Sequence, residues 1–103
     1  MDGKAVRVGP VCSKVWVEGV VQGVGYREFA RRSATRLGIS GWVRNRNNGA
    51  VEALVQGAAA NIEALLAEMR RGPPGSEVAH LRLAECEGNE AEIIGGFVVR
   101  PTR

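Results

Sequence analysis

The sequence predicts an α+β domain with the element order β-α-β-β-α-β and a short strand at the C-terminal end. Three features carry that expectation. Segments rich in β-branched residues alternate in polarity, two intervening segments repeat their apolar residues at helical spacing, and an Asn-Gly pair joins two of the strands. With 103 residues, 45% hydrophobic and 24% charged, the chain suits a single domain spanning residues 1–103 and leaves no room for a second.

Met1 to Pro10 mix charge, glycine and proline without periodicity and are expected to be a loose lead-in. The first strand is Val11 to Val20, where Val15 and Val17 alternate with Lys14, Trp16 and Glu18 to give one apolar and one wetter face. Tyr26 to Leu37 follows as an amphipathic helix. Tyr26, Ala30, Ser33, Ala34 and Leu37 recur at helical spacing, with Arg31, Arg32, Thr35 and Arg36 elsewhere around the wheel. Gly38 ends it as a left-handed residue. Ile39 to Arg46 and Ala50 to Gln56 are the second and third strands, Asn47, Asn48 and Gly49 make the turn, and the Asn48-Gly49 pair favours a tight primed turn with positive φ at both central positions. Asn61 to Arg71 is the second helix, with Ile62, Leu65, Leu66 and Met69 on one stripe, and Gly72-Pro73-Pro74-Gly75 stops it. Glu77 to Glu87 forms a fourth strand and Phe97 to Arg100 a short fifth. Two strand-helix-strand units that lay both helices on one face of an antiparallel sheet make a ferredoxin-like α/β sandwich.

No stretch approaches the roughly 20 apolar residues that span a bilayer, and the opening segment lacks a signal-peptide core. A soluble cytoplasmic protein with no membrane partner is expected. The net charge of +3 favours anionic ligands without demanding nucleic acid. Cys12 and Cys86 belong to no CxxC pair and His80 is the lone histidine, so no metal site is expected. The two cysteines read as separate thiols, with a single bridge between them as the alternative.

Val21-Gln22-Gly23-Val24-Gly25-Tyr26-Arg27 runs from a strand into the start of a helix, where unsatisfied N–H groups and the helix dipole favour an anion. The segment is neither a dinucleotide fingerprint nor a nucleotide P-loop, since the third glycine of the first and the Gly-Lys-Ser or Gly-Lys-Thr of the second are missing. A tight strand-to-helix turn accounts for the glycines equally well. Arg27 tips the balance, because a cation in the first helical turn is unfavourable by about 0.3 to 1 kcal/mol unless an anion neutralises it. Asn45 is the second unusual residue: asparagine is depleted in strands, and alternation places it on the face of Val43. It either orients a water or simply opens the hairpin.

Together, Val17-Glu18-Gly19-Val20-Val21-Gln22-Gly23-Val24-Gly25-Tyr26-Arg27 and Gly41-Trp42-Val43-Arg44-Asn45 resemble the two signature stretches of the acylphosphatase family. The resemblance covers nearly the whole chain. It implies a ferredoxin-like sandwich that hydrolyses the carboxyl-phosphate bond of acyl phosphates without a cofactor. Arg27 matches the family arginine that binds phosphate together with loop amides, and Asn45 matches the asparagine that positions water. The expected substrate-binding residues are Val21, Gln22, Gly23, Val24, Gly25, Tyr26 and Arg27, with inorganic phosphate or sulfate as simple ligands. Val20 stands where many members carry arginine, a change expected to alter binding strength rather than chemistry. Asn48 replaces a common turn aspartate.

An acyl phosphate has a good leaving group, so position and charge stabilisation suffice and the substrate's own phosphate oxygen is expected to take the water's proton. A monomer is expected. A nucleic-acid platform using Trp16 and Trp42 is not expected, because the closely spaced aromatics of an RNA-recognition signature are missing. A module that binds phosphate without turning it over is the remaining alternative, and retention of Asn45 argues against it.

Overall fold

A computed structural model describes residues 11–86 and 95–103. The lead-in expected at residues 1–10 and Glu87, the expected end of the fourth strand, lie outside the described residues. The elements are β1 (Val11–Val20), α1 (Tyr26–Arg36), β2 (Ser40–Asn45), β3 (Val51–Gly57), α2 (Ala59–Arg71), β4 (Glu77–Glu85) and β5 (Phe97–Val99). The sheet order is β4-β1-β3-β2-β5. The four principal strands pair antiparallel, whereas β5 lies parallel to β2, so the complete sheet is mixed.

Most boundaries fall within a residue or two of the pattern-based ones. The second helix starts earlier, at Ala59, because Ala58 to Ala60 are good helix formers and Ile62 N–H already donates to Ala58 O at 2.9 Å. The hairpin loop is Asn47, Asn48 and Gly49 as expected, but its conformation differs. Arg46 N–H donates to Ala50 O and Gly49 N–H to Arg46 O, leaving a three-residue loop in which, of Asn47, Asn48 and Gly49, only Gly49 has positive φ. The expected primed turn would have required a left-handed Asn48. The loop instead assigns that conformation to glycine and lets the Asn48 side-chain oxygen accept from Ala50 N–H at 3.0 Å.

Val15, Val17, Val43, Val51, Ala53, Val55 and Phe97 form one buried cluster with Ala30 and Ala34 of α1 and Ile62, Leu65, Leu66 and Met69 of α2. Both helices therefore cover the same sheet face, and each fully buried aliphatic side chain contributes on the order of 1.5–3 kcal/mol. Tyr26 ties the two helices together: its hydroxyl donates to Met69 O at 2.6 Å, and burial pushes its phenol well above the ordinary range. Pairing of β1 with β4 also brings Cys12 and Cys86 to a Cα separation of 5.4 Å, where they form a disulfide. The expectation of separate thiols gives way because sheet order makes neighbours of residues 74 apart in sequence. Among the described residues, no helix is long and apolar enough to cross a membrane.

The opposite sheet face is centred on Glu52, whose side chain is 4% exposed. Its carboxylate accepts from Arg44 Nε at 2.8 Å and Arg46 Nη1 at 3.1 Å, with Lys14 Nζ at 3.6 Å. Burial pushes the carboxyl upward, but the Arg44 hydrogen bond and the charges of Arg44, Arg46 and Lys14 outweigh it and hold Glu52 below the ordinary value of 4.5. A depressed folded-state value stabilises the fold above the unfolded value and loses that contribution as pH falls through the folded one. Glu52→Gln is accordingly expected to destabilise the chain at pH 7, with the difference from the parent shrinking below pH 4.5. Urea unfolding at both pH values checks this; a difference independent of pH would contradict it.

Candidate active site

The candidate site begins where β1 ends. Register shifts between Glu18 and Gly19, and the chain leaves the sheet at Val20 to form a loop ahead of α1. Gly23 has φ 77, and Gly25, the N-cap of α1, has φ 77 and ψ 23. Both lie in the left-handed region, which glycine enters without the steric penalty a Cβ brings. Gly25 offers no side-chain cap, and the first helical bond runs from Phe29 N–H to Gly25 O at 3.0 Å. The N–H groups of Tyr26, Arg27 and Glu28 therefore have no acceptor within the helix and carry its positive end.

A cleft of about 320 Å³ opens at this helix end. Val21, Gly23, Gly25, Tyr26 and Arg27 line one side, and Asn45, from the last position of β2, lines another. Six sequence-nominated residues thus share one concavity, although Asn45 lies on a different strand from the one that leads into the loop. Arg27 is half-buried, and its Nη1 donates to Arg100 O at 3.3 Å, which restrains the guanidinium at the mouth of the cleft. Asn45 is held through its backbone, its carbonyl accepting from Arg103 N–H at 2.9 Å.

Gln22 and Val24 are not among the lining residues. Val24 packs against the core. The Gln22 carboxamide donates to Arg46 O at 2.8 Å and Ala50 O at 2.9 Å, bracketing the loop to the hairpin that follows Asn45. Two further residues reach the cleft. Glu28, in the first turn of α1, pairs with Arg31 at 3.0 and 2.5 Å, and that hydrogen bond holds its carboxyl below the ordinary range. Val99 enters through the parallel β2–β5 pairing, a contact that alternation within a short strand does not announce. Glu28 was visible beside Arg27, but its lining position follows only from the helix start at Tyr26.

A guanidinium beside a helix N-terminus and a glycine-shaped loop favours a small, multiply charged anion with several acceptor oxygens. The half-buried carboxamide across the cleft has both a donor and an acceptor to present to a second, neutral molecule. Among the described residues, no group of three or more His, Cys, Asp or Glu side chains gathers.

Comparison with known proteins identifies the family. The family model described as Acylphosphatase matches residues 13–99. An acylphosphatase from Thiobacillus denitrificans is 53% identical over 70% of this chain and 81% of its own length. The solved acylphosphatase from Coxiella burnetii is 35% identical with a TM-score of 0.82, covering 89% of this chain and 94% of that one. The acylphosphatase from Bacillus subtilis superposes with a TM-score of 0.81 at 30% identity, covering 87% and 98% of the two chains. The chain belongs to the acylphosphatase family and is an acylphosphatase hydrolase.

The Gln22 bracket leads to a measurable expectation. Gln22→Ala removes a second donor from two carbonyls that keep their backbone donors, Gly49 N–H on Arg46 O and Arg46 N–H on Ala50 O, and is expected to lower stability by about 0.5–1.5 kcal/mol per lost hydrogen bond. Urea unfolding reads this directly, and an unchanged midpoint would show that the bracket contributes nothing.

Proposed function

We propose that this chain hydrolyses acyl phosphates with Arg27 and the loop amides as its phosphate cradle and Asn45 as the group that positions water. The observation that carries this reading is the single cleft lined by both Arg27 and Asn45. Main-chain N–H groups from Val21 to Arg27 and the Arg27 guanidinium meet the equatorial phosphoryl oxygens, where charge is stabilised through the reaction. The Asn45 carboxamide holds a water in line with the departing carboxylate. The water oxygen bonds to phosphorus as the bond from phosphorus to the acyl oxygen breaks, and the carboxylate leaves with the electron pair.

The displaced water proton passes to a phosphoryl oxygen of the substrate. The leaving group has the low proton affinity of a carboxylic acid, about 4 as a pKa, so it departs without a general acid. Glu28, the carboxylate that lines the cleft, is engaged by Arg31 and holds its proton weakly, which suits it poorly to the role of base. His80 lies on β4 opposite Glu18 and does not line the cleft. Every group the reading uses comes from one chain, so a monomer suffices. Inorganic phosphate, as product, and sulfate, as its isostere, are the simplest ligands of the cradle.

The roles separate on mutation. Arg27→Ala is expected to abolish phosphate affinity and turnover together, and Arg27→Lys, which keeps the charge but loses the planar fork, to lower kcat by about 10²-fold or more. Asn45→Ala is expected to keep phosphate binding while losing about 10²–10³-fold in kcat. Calorimetric phosphate titration beside acyl phosphate hydrolysis checks both, and near-normal turnover by Asn45→Ala would refute water positioning. Because the proton stays on the substrate, the kcat profile is expected to show no side-chain limb between about pH 6 and 8, and His80→Gln to leave it unchanged. A limb that disappeared in His80→Gln would overturn the substrate-assisted route.

A further inference from the structure

The sheet face away from the helices carries the chain's only two tryptophans. Trp16 pairs across strands with Arg82 on one side and Glu52 on the other, while Trp42 pairs with Leu54 and Val98. Directly paired residues share a face, so both indoles stand on the same side as Glu52. Each lies beside two cations. Lys14 Nζ and the Arg82 guanidinium sit 5.7 and 5.2 Å from the Trp16 ring centroid, and the Arg44 and Arg100 guanidinium groups 4.8 and 4.9 Å from that of Trp42. Beyond Trp42, Arg44, Arg100 and Arg103 with Pro101 and Thr102 line a hollow of about 190 Å³.

The charge on this surface is one-sided. Its central carboxylate, Glu52, is buried under its own cations, and Glu18 faces Arg82 at 3.8 Å, so the outward-facing charge is predominantly positive. Half-exposed indoles with cations over their rings fit a partner that alternates negative charge, which would draw the cations aside, with flat π faces, which would take their place on the rings. A polyanion lacking rings would meet the arginines but not use Trp16 and Trp42. Geometry also selects the strandedness. With β3 between β1 and β2 and a two-residue offset along it from Glu52 to Leu54, the two tryptophan backbones stand about 12 Å apart. Bases in a duplex stack every 3.4 Å or so along each strand and bury their faces, whereas an unstacked single strand can lay separate bases on separate rings.

Against the expectation drawn from the missing closely spaced aromatics, we infer that this face is a second functional surface, which binds single-stranded nucleic acid by stacking bases on Trp16 and Trp42 and seating phosphates against Arg82 and in the Arg44–Arg100–Arg103 hollow. Its indoles stand on the side of the sheet away from α1, its Arg100 end adjoins the Arg27 guanidinium, which donates to Arg100 O, and its occupancy does not require the hydrolytic reading.

Both tryptophans lie on the face, so intrinsic fluorescence reports binding directly. Titration of the full chain with a short oligouridylate at low salt is expected to give saturable quenching with a Kd of about 10⁻⁵ M or tighter that weakens as salt rises. A duplex of equal length is expected to bind at least about tenfold more weakly. By fluorescence anisotropy of a labelled oligouridylate, Trp42→Leu and Arg82→Glu are each expected to weaken binding about fivefold or more. Saturating inorganic phosphate at matched ionic strength is expected to leave it unchanged. Arg82 is an exposed edge-strand side chain, so R82E tests the face even if W42L fails to fold. Absence of saturable binding, equal affinity for polyglutamate of matched charge, or loss of binding under saturating inorganic phosphate at matched ionic strength would overturn the inference; the last would assign the nucleic acid's phosphates to the cradle.

Discussion

The open N-terminus of α1 is the constraint on which the site depends. A helix must satisfy or hydrate its first N–H groups, and this one begins at Gly25, which has no side chain to cap them. The preceding loop curls through two left-handed glycines, so these donors project into a cleft. Arg27 in the same turn adds positive charge where the helix dipole already supplies some. The arrangement is poor for an isolated helix and well suited to an anion. Local instability and ligand preference have the same cause.

The rest of the fold holds the opposite wall of that cleft in place. Asn45 is the last residue of β2, and β2 is fixed by β3 on one side and β5 on the other. The C-terminal tail extends this support, with Arg100 N–H bonded to Val43 O and Arg103 N–H to Asn45 O. Gln22 closes the frame by reaching from the loop to Arg46 and Ala50. Each wall is thereby referenced to the same central sheet, as a reaction that works by positioning requires.

The two sheet faces follow different physics. On the helix side, aliphatic residues exclude water and dominate stability. On the other side, one buried carboxylate organises three cations, and cations stand over both indole rings. A fold of this size has few residues to spare, and the second face supports the sheet while keeping charge and aromatic surface at its exterior.

Most element types were legible because periodicity is a local property. Val15 and Val17 against Trp16, and the Ile62, Leu65, Leu66, Met69 stripe, announce which side chains turn inward whatever the final sheet order. Arg27 and Asn45 stood out because each departs from the preference of its own element, and the motif resemblance paired them. Their sharing of one cleft, the roles of Gln22 and Val99, the backbone conformation of the hairpin loop, the Cys12–Cys86 bridge, the Glu52 cluster and the common face of the two tryptophans were decided only by tertiary structure. Each depends on which strands become neighbours and in what register, a choice made by burying both helices at once rather than by any segment's own pattern.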